Sequence, residues 1–486
     1  MPPSSIPHRS PPFALCILTF AEFWDRFSYY GVQALLVLYL TKIFLFSDGA
    51  AYSLFGVFTA LTFASTILGG IIADKLIGFR NGVIVGAFFM VLGNLLLILP
   101  SQNFMYVGLA TLICGVGFFK PNSASLVGVI YEGEASHRER GFSIFYMGMN
   151  AGALLGPLMY GYVSKAMGWH AGFLVSTFGI LLSLTLLFLK KVFNLPEQKS
   201  TQYFGINRIV AFFFAVIFFI GIFTTLMRYS NIFGSLLGVI GITTIFGLAF
   251  IALKSQPLER KHIIGLGILS FFCIFYFACS LQTSTTLTLF IERGVNRSIF
   301  GFQLPTMMFL SLQPFFIILS APFMGSLWSW LNKKNICYSI ATKLAIGLFL
   351  AAISFFIFAY GANCSERGYS RIISVIIGNF FLGIGELCTL PILFSAISEF
   401  SPKQWRSTMM GILFLSLAFS GYFAGLIAKV TSTQNIVKSA SKLSVDYANV
   451  FIEIGIAAFI ISLIILALAP LLKNLLQLPN PMTLRN

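Results

Sequence analysis

The chain has 486 residues, of which 57% are hydrophobic and only 9% are charged. Its mean hydropathy is +0.90, and a soluble domain of this composition would expose far too much apolar surface to water. Apolar runs of about 20 residues, the length of a membrane-crossing helix, recur from one end to the other. The composition therefore excludes an ordinary soluble protein and predicts an all-α polytopic membrane protein embedded in a lipid bilayer.

The formal net charge is +16, from 31 Lys and Arg against 15 Asp and Glu. A nucleic-acid-binding protein would carry dense basic clusters, and the sequence has none. The basic residues lie instead in alternate short gaps between apolar runs, as the positive-inside rule expects. We therefore predict that both termini are cytoplasmic and that nucleic acid is not a partner.

The length criterion predicts fourteen membrane-crossing helices. We place them near 13–41, 51–77, 82–100, 104–130, 142–165, 171–191, 206–227, 232–253, 263–291, 300–330, 337–360, 370–399, 407–430 and 448–475. A polar stretch from Asn194 to Gln202 interrupts the series. The predicted organisation is an N-terminal six-helix bundle at 1–193, a linker with two additional transmembrane helices at 194–260, and a C-terminal six-helix bundle at 261–486.

The first predicted helix carries three charges, Glu22, Asp25 and Arg26. Each costs about 2.5–3.5 kcal/mol at the centre of a bilayer, so their presence needs a reason. Their spacing of i, i+3 and i+4 places them on one helix face, which Tyr29 and Tyr30 extend by a turn. This face predicts a polar lining inside the membrane.

Two further ionisable residues lie in the middle of predicted spans. Lys120 follows Gly115-Val-Gly117, and Glu386 follows Gly383-Ile-Gly385 at the matching position of the second half. Such an echo is typical of transporters built from repeats. Neutral polar side chains also lie within apolar runs, at Asn150, Gln282 and Gln313.

Two interpretations of these polar groups are open from the residues alone. Any one of them could pair with a neighbouring helix in a purely structural role. Taken together, an ammonium, a carboxylate and a mixed-charge face suit a zwitterionic substrate held at the membrane midplane. The chain has no credible catalytic triad, metal motif or nucleotide-binding loop. We therefore expect a transporter that is not an enzyme and uses no cofactor or metal.

Several strings carry a family resemblance. AEFWDRFSYYG is similar to an ExxERFxYYG motif, GVGFFKPNSASLVGVIY to a GxGxxKPN segment, and FSIFYMGMNAGALLGP to an FYxxINxG signature. GWHAGF and GIGELCTLP recur in the same family. The chain thus resembles the bacterial proton-dependent oligopeptide transporters, the peptide-transporter branch of the major facilitator superfamily. Within GGIIADKLIGFR, Asp74 and Arg80 resemble the superfamily's cytoplasmic loop latch.

The resemblance implies a proton-coupled symporter that imports di- and tripeptides by alternating access in a bacterial inner membrane. The sequence gives no clear sign of oligomerisation, so we expect a monomer. Lys120 and Arg26 would face the peptide carboxylate, and Glu386 would take the amino terminus. The remaining implied substrate-binding residues are Tyr29, Tyr30, Asn150, Gln282 and Gln313. The implied proton-coupling residues are Glu22, Asp25, Arg26 and Lys120.

The sequence departs from the family pattern at three places. Asp25 replaces the usual Glu, Leu281 occupies the usual acidic position before Gln282, and Gln313 replaces the usual Asn before Pro314. Two alternatives therefore stay open. One is a transporter of another small zwitterion or organic anion, and the other is a peptide facilitator with weakened proton coupling. A receptor or scaffold that retains only the fold is a third, disfavoured hypothesis.

Overall fold

The structure is a computed structural model. It describes residues 13–131, 135–188, 206–299, 301–334, 338–364, 369–430, 432 and 440–476. The predicted linker at 194–202 and both chain ends lie outside these residues.

Sixteen α-helices make up most of the described chain. The first eight are α1 Phe13–Lys42, α2 Asp48–Ile72, α3 Gly78–Ile98, α4 Gln102–Ile130, α5 Ala135–Met167, α6 Ala171–Leu187, α7 Ile206–Arg228 and α8 Ser230–Lys254. The second eight are α9 Pro257–Ser280, α10 Thr286–Gly294, α11 Leu312–Lys333, α12 Ile340–Asn363, α13 Ile372–Leu387, α14 Leu390–Phe400, α15 Arg406–Val430 and α16 Ala440–Leu475. A two-residue hairpin, β1 Ser298–Ile299 and β2 Phe302–Gln303, lies between α10 and α11.

Eleven segments of the described chain are long and apolar enough to cross a membrane. Helix α1 is not among them, because its charged face lowers its hydropathy. Helix α6 and the apolar part of α7, Phe214–Arg228, are shorter than the other spans. With these three added, the structure has the fourteen helical crossings that the sequence predicts. The chain is an integral membrane protein.

Two of the predicted crossings are interrupted helices. The predicted crossing at 263–291 is present as the span Pro257–Gly294, but a 3₁₀ turn, Leu281–Ser284, separates α9 from α10 within it. The predicted helix at 370–399 likewise breaks between α13 and α14. Interrupted membrane helices expose backbone and half-helix ends, which transporters use to bind substrates and ions.

The described residues form two compact units. The first takes the chain up to Tyr30 with 65–156 and 170–222, and the second takes 31–64, 157–169 and 223–486. Helices α1, α2, α5 and α7 are therefore each divided between the two units. The predicted bundle boundaries at 193 and 260 are defined by counting crossings along the chain, not by contacts between residues, and they remain a prediction.

In the first unit, glycines let α5 pack directly on the backbone of α1. A Cβ atom at Gly152 would lie 2.3 Å from the carbonyl oxygen of Phe23, and one at Gly156 would lie 2.6 Å from that of Phe27. Both distances are too short for any side chain. Small residues four apart are a common means of close helix contact in membranes. This contact holds the charged segment of α1 against α5.

Candidate functional site

The three charges of α1 form one buried ion cluster in the first unit. Glu22, Asp25 and Arg26 are all less than 5% exposed. The Arg26 guanidinium donates to Asp25 Oδ2 through Nε at 2.7 Å and also through Nη2. Glu22 Oε1 lies 3.5 Å from Arg26 Nε. Asp25 is therefore the close partner of Arg26, and Glu22 is the looser one.

Helix α4 supplies the other contacts of this cluster. Ser123 donates its hydroxyl to Glu22 Oε2 at 2.8 Å. The Lys120 ammonium interacts electrostatically with Glu22, Asp25 and Arg26. The structure thus brings together four residues that the sequence assigned to proton coupling. Ser123 was missed by the sequence analysis, although its position three residues after Lys120 places both on one helix face.

The two tyrosines extend the cluster along α1. The Arg26 guanidinium carbon lies 5.5 Å from the centre of the Tyr29 ring, a cation–π distance. The Tyr29 and Tyr30 rings meet edge to face at 5.3 Å. Asn150 on α5 is partly exposed, and its Nδ2 donates to the Tyr146 carbonyl oxygen of its own helix at 2.8 Å.

The second unit holds a half-buried carboxylate of its own, Glu386. Glu386 lies in the last turn of α13, just before the helix break. Gln313, in the first turn of α11, donates its Nε2 to Glu386 Oε2 at 2.8 Å and contacts Ser280 Oγ at the same distance. The amide therefore holds the carboxyl group in place without supplying a countercharge. A carboxylate held by a neutral donor can bind an incoming cation.

Gln282 has a different environment from the other predicted substrate-binding residues. It is completely buried, and its Nε2 donates to the Ala424 carbonyl oxygen at 3.1 Å. The hydroxyls of Thr285 and Thr286 donate to its Oε1 at 3.0 and 2.9 Å. The hydrogen bonds of this amide are thus used to hold the break between α9 and α10.

The predicted latch lies at the connection between α2 and α3. Asp74 belongs to a π-helical turn, Ala73–Ile77, and its side chain is outside the described residues. Gly78 follows with φ +77°, a backbone conformation that favours glycine and turns the chain into α3. Arg80 lies in the first turn of α3 and is half-buried. The latch therefore remains a prediction.

A second ionic network lies in the second unit, where α1 and α2 meet the end of α10. Arg293 forms a two-pronged ion pair with Asp48, with distances of 2.6 and 2.8 Å. Its neighbour Glu292 accepts from Lys42 and lies 3.2 Å from Arg297. Asp48 lies 245 residues before Arg293 in the sequence, and Glu292 lies five residues before Arg297. Spacing in the sequence therefore did not reveal the network.

Comparisons with known proteins place the chain in a family. A family model described as the POT family matches residues 80–444. The "Uncharacterized transporter YclF" of Bacillus subtilis is 30% identical over 96% of this chain and 95% of its own length. The "Dipeptide and tripeptide permease A" of Proteus mirabilis is 26% identical, with 96% of each protein covered.

Solved structures agree with this assignment. A crystal structure of the peptide transporter POT in complex with sulfate superposes with a TM-score of 0.84 at 29% identity, covering 97% of this chain and 98% of that one. A second structure, described as giving structural insights into substrate recognition in proton dependent oligopeptide transporters, superposes with a TM-score of 0.82 at 27% identity. The match covers 95% of this chain and 99% of that one. Both the predicted fold and the predicted family are confirmed. The chain belongs to the POT family, with the major facilitator fold, and is therefore a transporter and not an enzyme.

Proposed function

We propose that this chain is a proton-coupled symporter that imports di- and tripeptides by alternating access. The observation that carries the proposal is that each unit holds a charged group suited to one end of a peptide. The first unit has the buried Arg26 and the half-buried Lys120, and the second has the half-buried Glu386 carboxylate. The permease of Proteus mirabilis, by its name, carries dipeptides and tripeptides.

The assigned roles follow from charge. Lys120 and Arg26 face the peptide carboxylate, and Glu386 takes the amino terminus, helped by Gln313. Tyr29, Tyr30, Asn150 and Gln282 complete the substrate-binding set, with Asp74 and Arg80 as the cytoplasmic latch. Because the two peptide charges are common to all short peptides, such a site accepts many side chains.

Proton coupling rests on the α1 cluster. Two carboxylates and two cations share one buried region, so their charges balance. A peptide carboxylate that arrives at Arg26 or Lys120 adds a third anion and competes for the same cations. Protonation of one carboxylate restores the balance, which links peptide binding to proton uptake. Glu22 is the proposed proton carrier because Asp25 holds Arg26 more closely.

We place the chain in a bacterial inner membrane, as a monomer with both termini in the cytoplasm. Under this orientation, the Asp48–Arg293 ion pair lies at the outer surface. It joins the start of α2 to the end of α10, and the Tyr447 hydroxyl adds a hydrogen bond with Arg293. We assign this network the role of holding the outer side closed during alternating access.

The outer network gives a prediction on stability. Arg293→Glu leaves the buried Asp48 carboxylate facing a like charge, and we expect a loss of roughly 2–5 kcal/mol in the free energy of unfolding. The double variant Asp48→Arg with Arg293→Glu restores an opposite-charge pair and should recover much of this loss. Denaturant unfolding in detergent, followed by tryptophan fluorescence, measures both. A double variant no more stable than the single one would contradict the role of the pair.

Uptake of labelled dialanine into liposomes tests the proposed function. The purified chain is reconstituted and assayed with and without an inward proton gradient, and empty liposomes serve as control. Accumulation above equilibrium only with the gradient supports the symporter. Equilibration that ignores the gradient would replace the symporter with a peptide facilitator. An absence of uptake, with another small zwitterion or organic anion transported instead, would overturn the peptide assignment.

A further inference from the structure

A cavity of about 800 Å³ lies in the second unit, away from Glu386 and from the outer network. It opens where α8 ends, α9 begins, and α14 passes into α15. Charged residues of both signs line it: Lys254 and Arg406 are cations, and Glu259 and Glu399 are carboxylates. Nothing in the proposed transport cycle uses these four residues.

The charges of this cavity are not neutralised by one another. Within the described ranges, Glu259, Glu399 and Arg406 take part in no ion pair, and Lys254 lies 4.2 Å from the centre of the Phe250 ring. Lys254, Glu399 and Arg406 are exposed and Glu259 is half-buried, so all four side chains are accessible to a ligand that carries both signs. Such a ligand lets each charged side chain form a charge-assisted hydrogen bond.

Buried polar groups form the rest of the lining that matters. Ser401 is 5% exposed, and its Oγ has no hydrogen-bond partner among the residues that the structure describes. This oxygen is enclosed by protein and does not face the cavity. The His262 ring is 8% exposed and packs edge to face on Phe400, with ring centres 5.4 Å apart. These residues therefore form a packed wall behind the charged rim.

The position of the cavity identifies the source of the ligand. It lies where membrane-crossing helices end, which is the level of the phospholipid head groups. The neighbouring helix α8 is almost entirely open to lipid, since only 11% of its apolar window is buried. Phe246, Phe250 and Leu253, in its last turns, are all more than half exposed. Acyl chains can therefore lie along α8 while a head group enters the cavity.

We infer that this cavity binds the phosphoethanolamine head group of a membrane phospholipid. The phosphate meets Lys254 and Arg406. The primary ammonium donates to the Glu259 and Glu399 carboxylates. A phosphocholine head group lacks N–H donors for these carboxylates, and a phosphoglycerol head group lacks the cation. The site should therefore discriminate among these three lipids.

Native mass spectrometry of the full chain in a mild detergent tests the inference. We titrate phosphatidylethanolamine, phosphatidylcholine and phosphatidylglycerol separately and expect the first to bind about tenfold more tightly than the others. The double variant Lys254→Gln with Arg406→Gln should bind phosphatidylethanolamine about tenfold or more weakly than the unaltered chain. Lys261→Gln is the matched control, because Lys261 is exposed in the first turn of α9 and does not line the cavity.

A second pair of variants tests the ammonium half of the site. Glu259→Gln with Glu399→Gln should remove the advantage of phosphatidylethanolamine over phosphatidylglycerol while the phosphate contacts remain. Equal binding of all three lipids to the unaltered chain would overturn the inference, and this comparison needs no variant to fold. Displacement of the lipid by an equal concentration of inorganic phosphate would also overturn it, since the site would then serve free phosphate.

Discussion

Glu386→Gln is expected to lower uptake of a free dipeptide by roughly 10- to 100-fold. In the structure the carboxylate accepts from Gln313 and lies at the end of a half-helix. Glutamine has nearly the same shape and can keep this hydrogen bond, so the packing should survive. What is lost is the charge-assisted bond to the peptide ammonium, worth about 1.5–3 kcal/mol. Competition with labelled dialanine in reconstituted liposomes measures the change.

An N-acetylated dipeptide supplies the control for this result. It has no ammonium group, so the unaltered chain should bind it much more weakly than the free dipeptide. In the Glu386→Gln variant the two peptides should compete almost equally, because the group that distinguishes them is gone. Equal competition by both peptides in the unaltered chain would remove Glu386 from the amino-terminal site.

Glu22→Gln is expected to abolish accumulation driven by a proton gradient while leaving counterflow exchange. The glutamine oxygen can still accept from Ser123, which donates to Glu22 Oε2 at 2.8 Å. The neighbouring pair of Asp25 and Arg26 is left intact. The variant should therefore fold normally but carry no proton at this position. Transport of labelled dialanine by the Glu22→Gln variant, measured with an imposed pH gradient and with preloaded peptide, separates the two activities.

Asp25→Asn should behave differently, although both residues are carboxylates on one face. It removes the close partner of the buried Arg26 and leaves only Glu22, at 3.5 Å. We expect a loss of roughly 2–5 kcal/mol in unfolding free energy in addition to lost accumulation. Glu453→Gln is the matched control, since Glu453 is an exposed carboxylate on α16 and should tolerate the change. Undiminished accumulation in both α1 variants would rule out the proton role.

The local pairing of Arg26 also gives a physical context for Leu281. Where the family pattern has an acidic residue, this chain has leucine at the first position of the 3₁₀ turn that follows α9. In the described residues, the ion pairs of Arg26 are with Asp25 and Glu22 of its own helix. The cluster therefore needs no carboxylate from α9 or α10 for charge balance. The uptake experiment decides whether coupling operates with this arrangement.

The fold class, the family and the residues of the α1 cluster follow from the amino-acid sequence alone. Hydropathy over about 20 residues is a local property, so the crossings follow from composition alone. The helical spacing of Glu22, Asp25 and Arg26 likewise requires no knowledge of other helices. Helix boundaries and contacts between helices do not follow from these local patterns.

The contacts between side chains that are far apart in the sequence are visible only in the tertiary structure. The contact of Ser123 with Glu22 spans 101 positions, and that of Arg293 with Asp48 spans 245. The sequence did not reveal the break after α9, because the Gln282 side chain there donates to the Ala424 carbonyl oxygen on a different helix. Helix breaks of this kind depend on partners that satisfy the freed backbone and side-chain groups. Those partners are set by packing, which no local pattern in the sequence records.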